Sequence, residues 1–523
     1  MNQLVSKIQT TFKRNQFLLV FCLASTFIIG LITHAYMFFS DSFSHDSLKE
    51  FNGIDNNIWK IQLGRFFIPV YKLLTRGNVT LPWLIGIFSL SWIALAVFFT
   101  VKLFGVKNKF LIVLISGIYT ANIPVIATTA TYIHDLDADM FALFLAVFAV
   151  YLWNKYKLGY IFSSICIFLL LGLYQCYISV TITLIIIFLI LKLLNGEDFK
   201  TVFCLGIKSV LFLLIGGIIY FICFKGIFLL TSIEPPKNGY NTLSNMSSLG
   251  LKQIVLGTIK TYIYTCISFL IPINNSSKLF VATITAIAIF IAGFIILARV
   301  LDKEIKIKEK ILILMLILTM PIGMNVSRIL SGGMSHDLMH FAVYLPYLLI
   351  LLIVYKSSCF DPHCKSRLNK FVLKYSKYVC SLILIVIILS NIIVANKAYL
   401  KKDLEQDAAL SYFTRVVEKM DEFDEYDRET NSVVFIGIPE TVNNCMFAFD
   451  DVKITGASYS YVLGASLPER YKNYFEYKLH YPIKVLSATE KIVNNKKVED
   501  MPVFPKDGSL LMFDDVLVVK LGE

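Results

Sequence analysis

Apolar residues in this chain come in long runs separated by short polar stretches. The runs fall near 17–39, 81–101, 110–128, 138–154, 159–175, 177–194, 206–230, 279–299, 311–330, 338–355 and 376–396. A helix needs about 20 predominantly apolar residues to cross a hydrocarbon core. The pattern therefore predicts an all-α polytopic membrane protein with about eleven transmembrane helices. The first run is too long for a signal-peptide core and has no small-residue cleavage pattern, so it reads as a retained span. One further run, "QIVLGTIKTYIYTCISFLIP" (253–272), contains Lys260 and threads polar residues along one side. It reads as a re-entrant or interfacial helix.

After residue 396 the pattern changes. "KKDLEQDAALSYFTRVVEKMDEF" places apolar residues at helical spacing, and "SVVFIGIP", "DVKITG" and "SLLMFDDVLVVKL" are short strand-like runs. We read residues 1–396 as a transmembrane module and 397–523 as a small extracytoplasmic α/β domain. Loops holding Lys13 and Arg14, Lys102, Lys107 and Lys109, Lys155 and Lys157, and Lys192 and Lys200 alternate onto one side. By the positive-inside rule that side is the cytoplasm. The N-terminus is then cytoplasmic and the C-terminal domain lies outside, in a multi-pass membrane protein.

Composition agrees: 56% of residues are hydrophobic and 16% charged, against about 25% charged in soluble domains. The net charge of +12 is unevenly spread. Residues 1–396 carry 33 Lys/Arg and 15 Asp/Glu, and residues 397–523 carry 16 and 22. The basic excess belongs to the cytoplasmic loops, so nucleic acid is not needed as a partner. The ten cysteines are scattered, mostly in apolar runs, and read as small core residues. Cys359-Phe-Asp-Pro-His363-Cys364 lacks the spacing of a zinc knuckle and reads as a loop.

The candidate chemistry lies at the outer mouths of the spans. Nine acids of the membrane part fall there: Asp41, Asp46, Glu50, Asp55, Asp135, Asp137, Asp139, Glu234 and Asp337. Most form two knots, "SDSFSHDSLKEF" after the first span and "TYIHDLDADMFAL" (131–143) before another. If the second knot is helical, Asp135 and Asp139 share a face and Asp137 looks elsewhere. Like charges on one face call for a cation, a substrate hydroxyl cluster or a basic partner. Arg65, Arg328 and Lys225 are the nearby cations, and His45, His134, His336 and His340 are four of only seven histidines. Singly, such groups are solvated acids, snorkelling cations and structural imidazoles. Together they outline a polar cavity at the outer leaflet, suited to a substrate with a lipid tail, a phosphate and a sugar. A carboxylate there can take a proton from an attacking hydroxyl, and cations can stabilise a departing phosphate.

An acidic first outer loop, a second acidic cluster and an extracytoplasmic C-terminal domain resemble a GT-C-fold glycosyltransferase. Within that fold, "ATYIHDLDADMFALFLAVFAVYLWNK", "LLGLYQCYIS" and "DLEQDAALSYFTRV" resemble the bacterial Gtr-type glucosyl transferases, which include serotype-converting O-antigen enzymes. The resemblance implies a polyprenyl-phosphate-linked hexose donor, glucose first among them, and a cell-surface polysaccharide or glycolipid acceptor. It implies a general base in the first outer loop. Asp46, with His45 beside it, fits best, and Asp41 at the membrane edge comes second. Asp135, Asp137 and Asp139, with His134, would serve acceptor hydroxyls or a divalent ion, magnesium or manganese. Arg65 and Arg328, with His336 and Lys225, would hold the donor phosphate. A transporter or flippase for a lipid-linked sugar is the alternative. It would favour ionisable groups at mid-membrane and broken helices over acids at outer mouths.

Overall fold

The computed structural model describes residues 2–44, 47–48, 57–231, 233, 250–271, 278–301, 305–330, 333, 335–360, 367–439, 452, 454 and 468–522. The helices of the membrane part are α1 (Asn2–Phe39), α2 (Asn57–Gln62), α3 (Phe67–Thr75), α4 (Pro82–Phe104), α5 (Lys109–Thr120), α6 (Ile123–Thr131), α7 (Leu136–Lys155) and α8 (Gly159–Leu173). They continue with α9 (Ile178–Leu194), α10 (Phe199–Leu230), α11 (Leu251–Leu270), α12 (Lys278–Val300), α13 (Ile307–Met324), α14 (Val326–Leu330), α15 (Leu345–Phe360) and α16 (Arg367–Asp421). The apolar runs read from the sequence fall on these helices, but 110–128 and 311–330 are each divided between two of them, and 338–355 begins in 3-10 turns before α15. Among the described residues eight helices are long and apolar enough to cross a membrane, nine if the bent pair α5 and α6 counts as one.

That pair departs from the single straight span expected over 110–128. It bends by 43°. Asn122 caps α6 by accepting from the Val125 amide at 3.0 Å, and Pro124 stands in the first turn. A capping side chain followed by proline starts a helix afresh.

Small residues let the central helices approach. Along α7, Ala138, Ala142, Ala146 and Ala149 are fully buried at helical spacing. Neighbouring hydroxyls reach the α7 backbone: Ser163 donates to the Ala149 carbonyl at 2.7 Å, and Thr181 to that of Ala146 at 3.2 Å. The next face of α7 is aromatic. Phe141, Phe144 and Phe148 stack along the helix and meet Trp92 and Phe99 of α4. Close packing of this kind, rather than burial from water, holds helices together in lipid.

The bundle has two distinct ends. At one, Lys109 lies over Phe17 at 5.0 Å, Arg299 donates to the Leu194 carbonyl at 3.1 Å, Glu309 accepts from the Phe199 amide at 3.0 Å, and Tyr355 pairs with Ser381. At the other, Phe39 stacks on Trp83 at 4.5 Å, Tyr220 donates to the Gly64 carbonyl, and Thr285 pairs with Tyr347. So α10 starts where α12 ends. The later part of α10 and the earlier part of α12, between which α11 stands in the chain, therefore both lie towards the second end.

Helices α1 and α16 run parallel. Asn396 meets the Ile32 carbonyl, His34 meets Tyr399, and Tyr36 donates to Asp403, so both chains advance in step. α16 is continuous through residues 396 and 397, where the composition changes, and extends into the C-terminal domain. There it turns Ala409, Tyr412, Phe413, Val416 and Met420 onto a four-stranded sheet of order β2-β1-β4-β3. The strands are β1 (Ser432–Ile436), β2 (Lys484–Val485), β3 (Leu510–Phe513) and β4 (Val516–Lys520). β1 pairs in parallel with β2 and β4, whereas β3 and β4 form a hairpin turning at Asp514, whose φ of 52° suits such a turn. Of "DVKITG", only Val452 and Ile454 are described; neither is in a strand, and both pack on the membrane bundle.

The segment after α1 is tied down at two of its described residues. Phe43 and Leu48 are buried in the core of the C-terminal domain, Phe43 against Tyr474 at 6.2 Å.

Candidate active site

One short segment, 57–76, faces the acid knot of 133–139. α2 carries Lys60 and α3 carries Lys72, with Arg76 directly after it. A 3-10 turn, Ile133–Asp135, leads into α7, whose first turn bears Asp137 and Asp139. The amino end of a helix favours negative charge, so the backbone itself helps to hold these acids.

Two of the acids are fully engaged. One Asp135 oxygen takes two ammonium groups, Lys72 Nζ at 2.7 Å and Lys60 Nζ at 2.9 Å, with His134 Nε2 at 3.6 Å from the other oxygen. Asp137 receives a two-pronged grip from Arg76, Nε to Oδ2 at 3.0 Å and Nη2 to Oδ1 at 3.2 Å. Arg76 also donates to the carbonyls of Val79, at 2.6 Å, and His134. The basic partner demanded by the acid knot is thus within the chain. Among the described residues no three His, Cys, Asp or Glu side chains are arranged to hold a metal. With Asp135 and Asp137 neutralised by lysines and an arginine, a divalent ion does not fit between them.

The third acid is different. Asp139 is buried yet has no hydrogen bond or ion pair among the described residues. It faces the Arg65 guanidinium. Arg65 stacks over the Tyr174 ring at 4.4 Å, and its Nε is buried without a hydrogen-bond partner. Gly64 sets this arginine's backbone. Its φ is +79°, and a Cβ there would stand 2.2 Å from the Tyr220 hydroxyl and 3.0 Å from Gln175 Nε2. Gln175 in turn donates to the Leu63 carbonyl at 2.9 Å. The 3-10 turn Gln175–Tyr177 thereby locks the segment 63–65 in place.

A second cluster adjoins the first. Arg328 of α14 lies over the Tyr264 ring at 4.0 Å and donates to Ser335 Oγ at 2.5 Å. The His340 ring meets the same tyrosine edge-on at 5.5 Å. His340 is buried, with Arg328 and His336 close by. α14 packs on the turn Gln175–Tyr177, which joins this cluster to Arg65 and Asp139.

The other expected residues fall as follows. Asp41 is largely exposed and bonds to the C-terminal domain, to Lys478 Nζ at 2.7 Å and Gln406 at 3.4 Å. Lys225 is exposed and lies over Phe221 of its own helix at 5.7 Å. It does not join the cations around the acid knot. Asp337 opens a 3-10 turn packed on α6. His45, Asp46, Glu50, Asp55, Glu234, His363 and Cys364 lie outside the described residues.

Lys60, Lys72 and Arg76 are the residues that sequence reasoning missed. Their signal was faint: three cations at the mouth of an apolar bundle, two of them one helical turn apart. Lys402 also escaped notice. It is buried and donates to the Ala130 carbonyl near the end of α6, where a cation meets the negative end of the helix dipole.

Charged groups from distant parts of the chain thus converge at one end of an apolar bundle. The family described as glucosyl transferase GtrII matches residues 35–363, a stretch holding all of the acid knot and both arginines. The chain belongs to the GtrII glucosyl transferase family. Neither curated proteins nor solved structures give a match. Membership makes this GtrII-family chain a membrane glycosyltransferase. Within the matched stretch, Asp135 and Asp137 are paired with cations and Asp139, among the described residues, is not.

Proposed function

We propose that the protein transfers glucose from a polyprenyl-phosphate carrier to a cell-surface glycan on the extracytoplasmic face of a bacterial cell membrane. The observation that carries this reading is the uncommitted Arg65 and Asp139, flanked by a scaffold of paired charges and by the Arg328 cluster.

In this reaction an acceptor hydroxyl attacks the anomeric carbon of the donor. The new glycosidic bond forms as the bond from that carbon to the phosphate oxygen breaks, and the polyprenyl phosphate leaves. Asp46 takes the hydroxyl proton, and Asp139 orients substrate hydroxyl groups. Arg65 and Arg328 meet the charge that grows on the departing phosphate. Asp135 and Asp137 hold the cationic segment against α7.

The reading of sidedness has support from both ends of the bundle. The end holding Lys109, Lys192 and Arg299 is basic, as cytoplasmic ends are. With the later part of α10 and the earlier part of α12 towards the opposite end, no net crossing is needed between them, which supports the reading of eleven crossings. Parallel α1 and α16 then emerge together on the outside.

The test is transfer in vesicles. Purified protein, polyprenyl-phosphate glucose labelled in the sugar, and an outer polysaccharide acceptor should yield label in a new glycosidic bond. Movement of the lipid across the bilayer without bond formation would replace this reading with the flippase.

A further inference from the structure

α11 is inverted for a helix at a protein surface. Its apolar side chains Val255, Leu256, Ile259, Ile263 and Ile267 point outward, and the described residues that it buries are Thr261 and Thr265. Outward apolar residues suit lipid. Two buried threonines say that the inner face is polar.

That face is met by polar groups from two other elements. Asn325, at the break between α13 and α14, bonds to Thr265 Oγ1 at 3.3 Å, and His340 meets Tyr264. Three atoms are left over. Thr261 Oγ1, Asn325 Oδ1 and His340 Nε2 are buried with no hydrogen-bond partner, on residues 0%, 0% and 6% exposed. Turning the Asn325 amide only exchanges which of its atoms is left over. Buried polar atoms almost always have partners, and the exceptions point to an absent water, ion or ligand. In a bilayer, lipid tails offer none.

The three atoms do not suit an ion. A hydroxyl gives and takes, an amide oxygen only takes, and an imidazole nitrogen does one or the other. Sugar hydroxyls match such a mixed set. The place matches as well: Arg328 borders the cluster, and Ser327 beside it lies within reach of the Cys176 thiol, next to Tyr174 and Arg65.

We propose that Thr261, Asn325 and His340 form a subsite that binds the hydroxyl groups of a hexose ring, that of the lipid-linked donor. The subsite rests on the reading of the protein as a lipid-dependent glucosyltransferase and specifies where that donor's sugar sits.

The experiment measures binding to the full chain in lipid nanodiscs. The probes are polyprenyl-phosphate glucose, bare polyprenyl phosphate and a soluble oligosaccharide acceptor. Wild type should prefer the sugar-bearing lipid to the bare one by ~10-fold or more, and Thr261→Val and Asn325→Leu should each cut that preference ~5-fold, the scale of one hydrogen bond. Affinity for bare polyprenyl phosphate should not change. Thr261→Ser keeps the hydroxyl and should keep the preference, which controls for packing. Thermal stability of Thr261→Val should not fall, because the hydroxyl has no partner to lose. The proposal is overturned if the preference survives both substitutions, or if both lipids weaken alike. Weakening of the oligosaccharide alone overturns the donor assignment. Selective binding without any transfer by wild type would sink the proposed reaction and leave the subsite standing.

Discussion

Arg76 holds Asp137 through two parallel contacts, with neither side chain accessible to solvent. The pair joins the end of α3 to the first turn of α7 across 61 positions of sequence. A planar guanidinium fork matches a carboxylate in a way that a lysine ammonium does not.

Breaking that pair leaves a buried charge without its counter-charge. Asp137→Asn and Arg76→Ala should each lower stability by about 3–5 kcal/mol. Because they remove the same interaction, the double variant should fall well short of the sum. Thermal unfolding in detergent, followed for all four proteins, checks the cycle. Full additivity would mean that the two side chains act independently.

Asp139 should behave in the opposite way. It has no bonded partner to lose, so Asp139→Asn should fold at least as well as wild type. Transfer should drop by ~10²-fold or more, and by ~10²–10⁴-fold for Asp46→Asn if that residue is the general base. Rates measured at saturating donor on protein of verified stability decide the matter. Normal turnover in Asp139→Asn would make it a bystander.

Gly64 should resist the smallest substitution. Gly64→Ala combines a left-handed backbone with a Cβ on top of the Tyr220 hydroxyl. The strain falls on the residue before Arg65. Donor KM should rise several-fold, and Gly77→Ala, with a similar φ of +71° but open space around it, serves as the control. Equal effects at both glycines would attribute the loss to backbone strain alone.

The two anchors of the first outer loop should differ sharply. Asp41 and Lys478 form an ion pair in which Asp41 is 72% exposed, so Asp41→Asn should cost less than about 1 kcal/mol. Phe43 is buried in the domain core, and Phe43→Ala should cost about 3–5 kcal/mol. Protease susceptibility of the C-terminal domain, compared between the two variants, reads the difference.

A reporter active only in the cytoplasm should be silent when fused after Lys520 and active when placed in the connection after Leu194. Activity after Lys520 would reverse the outer assignment of the C-terminal domain.

The helices were legible because crossing a membrane imposes one composition over some twenty residues, and that signal is local. The stretch 253–272 reads from its Lys260 and polar residues as re-entrant or interfacial, whereas α11 is long and apolar enough to cross a membrane. Helical spacing set Asp137 apart from Asp135 and Asp139, but Asp135 lies in a 3-10 turn and each acid has its own surroundings: Lys60 and Lys72 at Asp135, Arg76 at Asp137, and Arg65 near Asp139. What the sequence hid was pairing at a distance. Lys60 and Asp135 stand 75 positions apart, and nothing local marks either as the other's partner. The bend at Asn122 carried a cap and a proline but was masked by the apolar residues around it. The seat of Phe43 in a domain far along the chain left no local trace at all.

That seat sets an order of events in the cell. Asp41 and Lys478 lie 437 positions apart, and β4 lies further still. At a synthesis rate of ~5–20 residues per second, roughly 20–90 s pass between the emergence of the two. Phe43 is made early and lacks its partner Tyr474 throughout that interval. A nascent chain, or one cut short after α16, would thus leave Phe43 and Leu48 without the core that buries them.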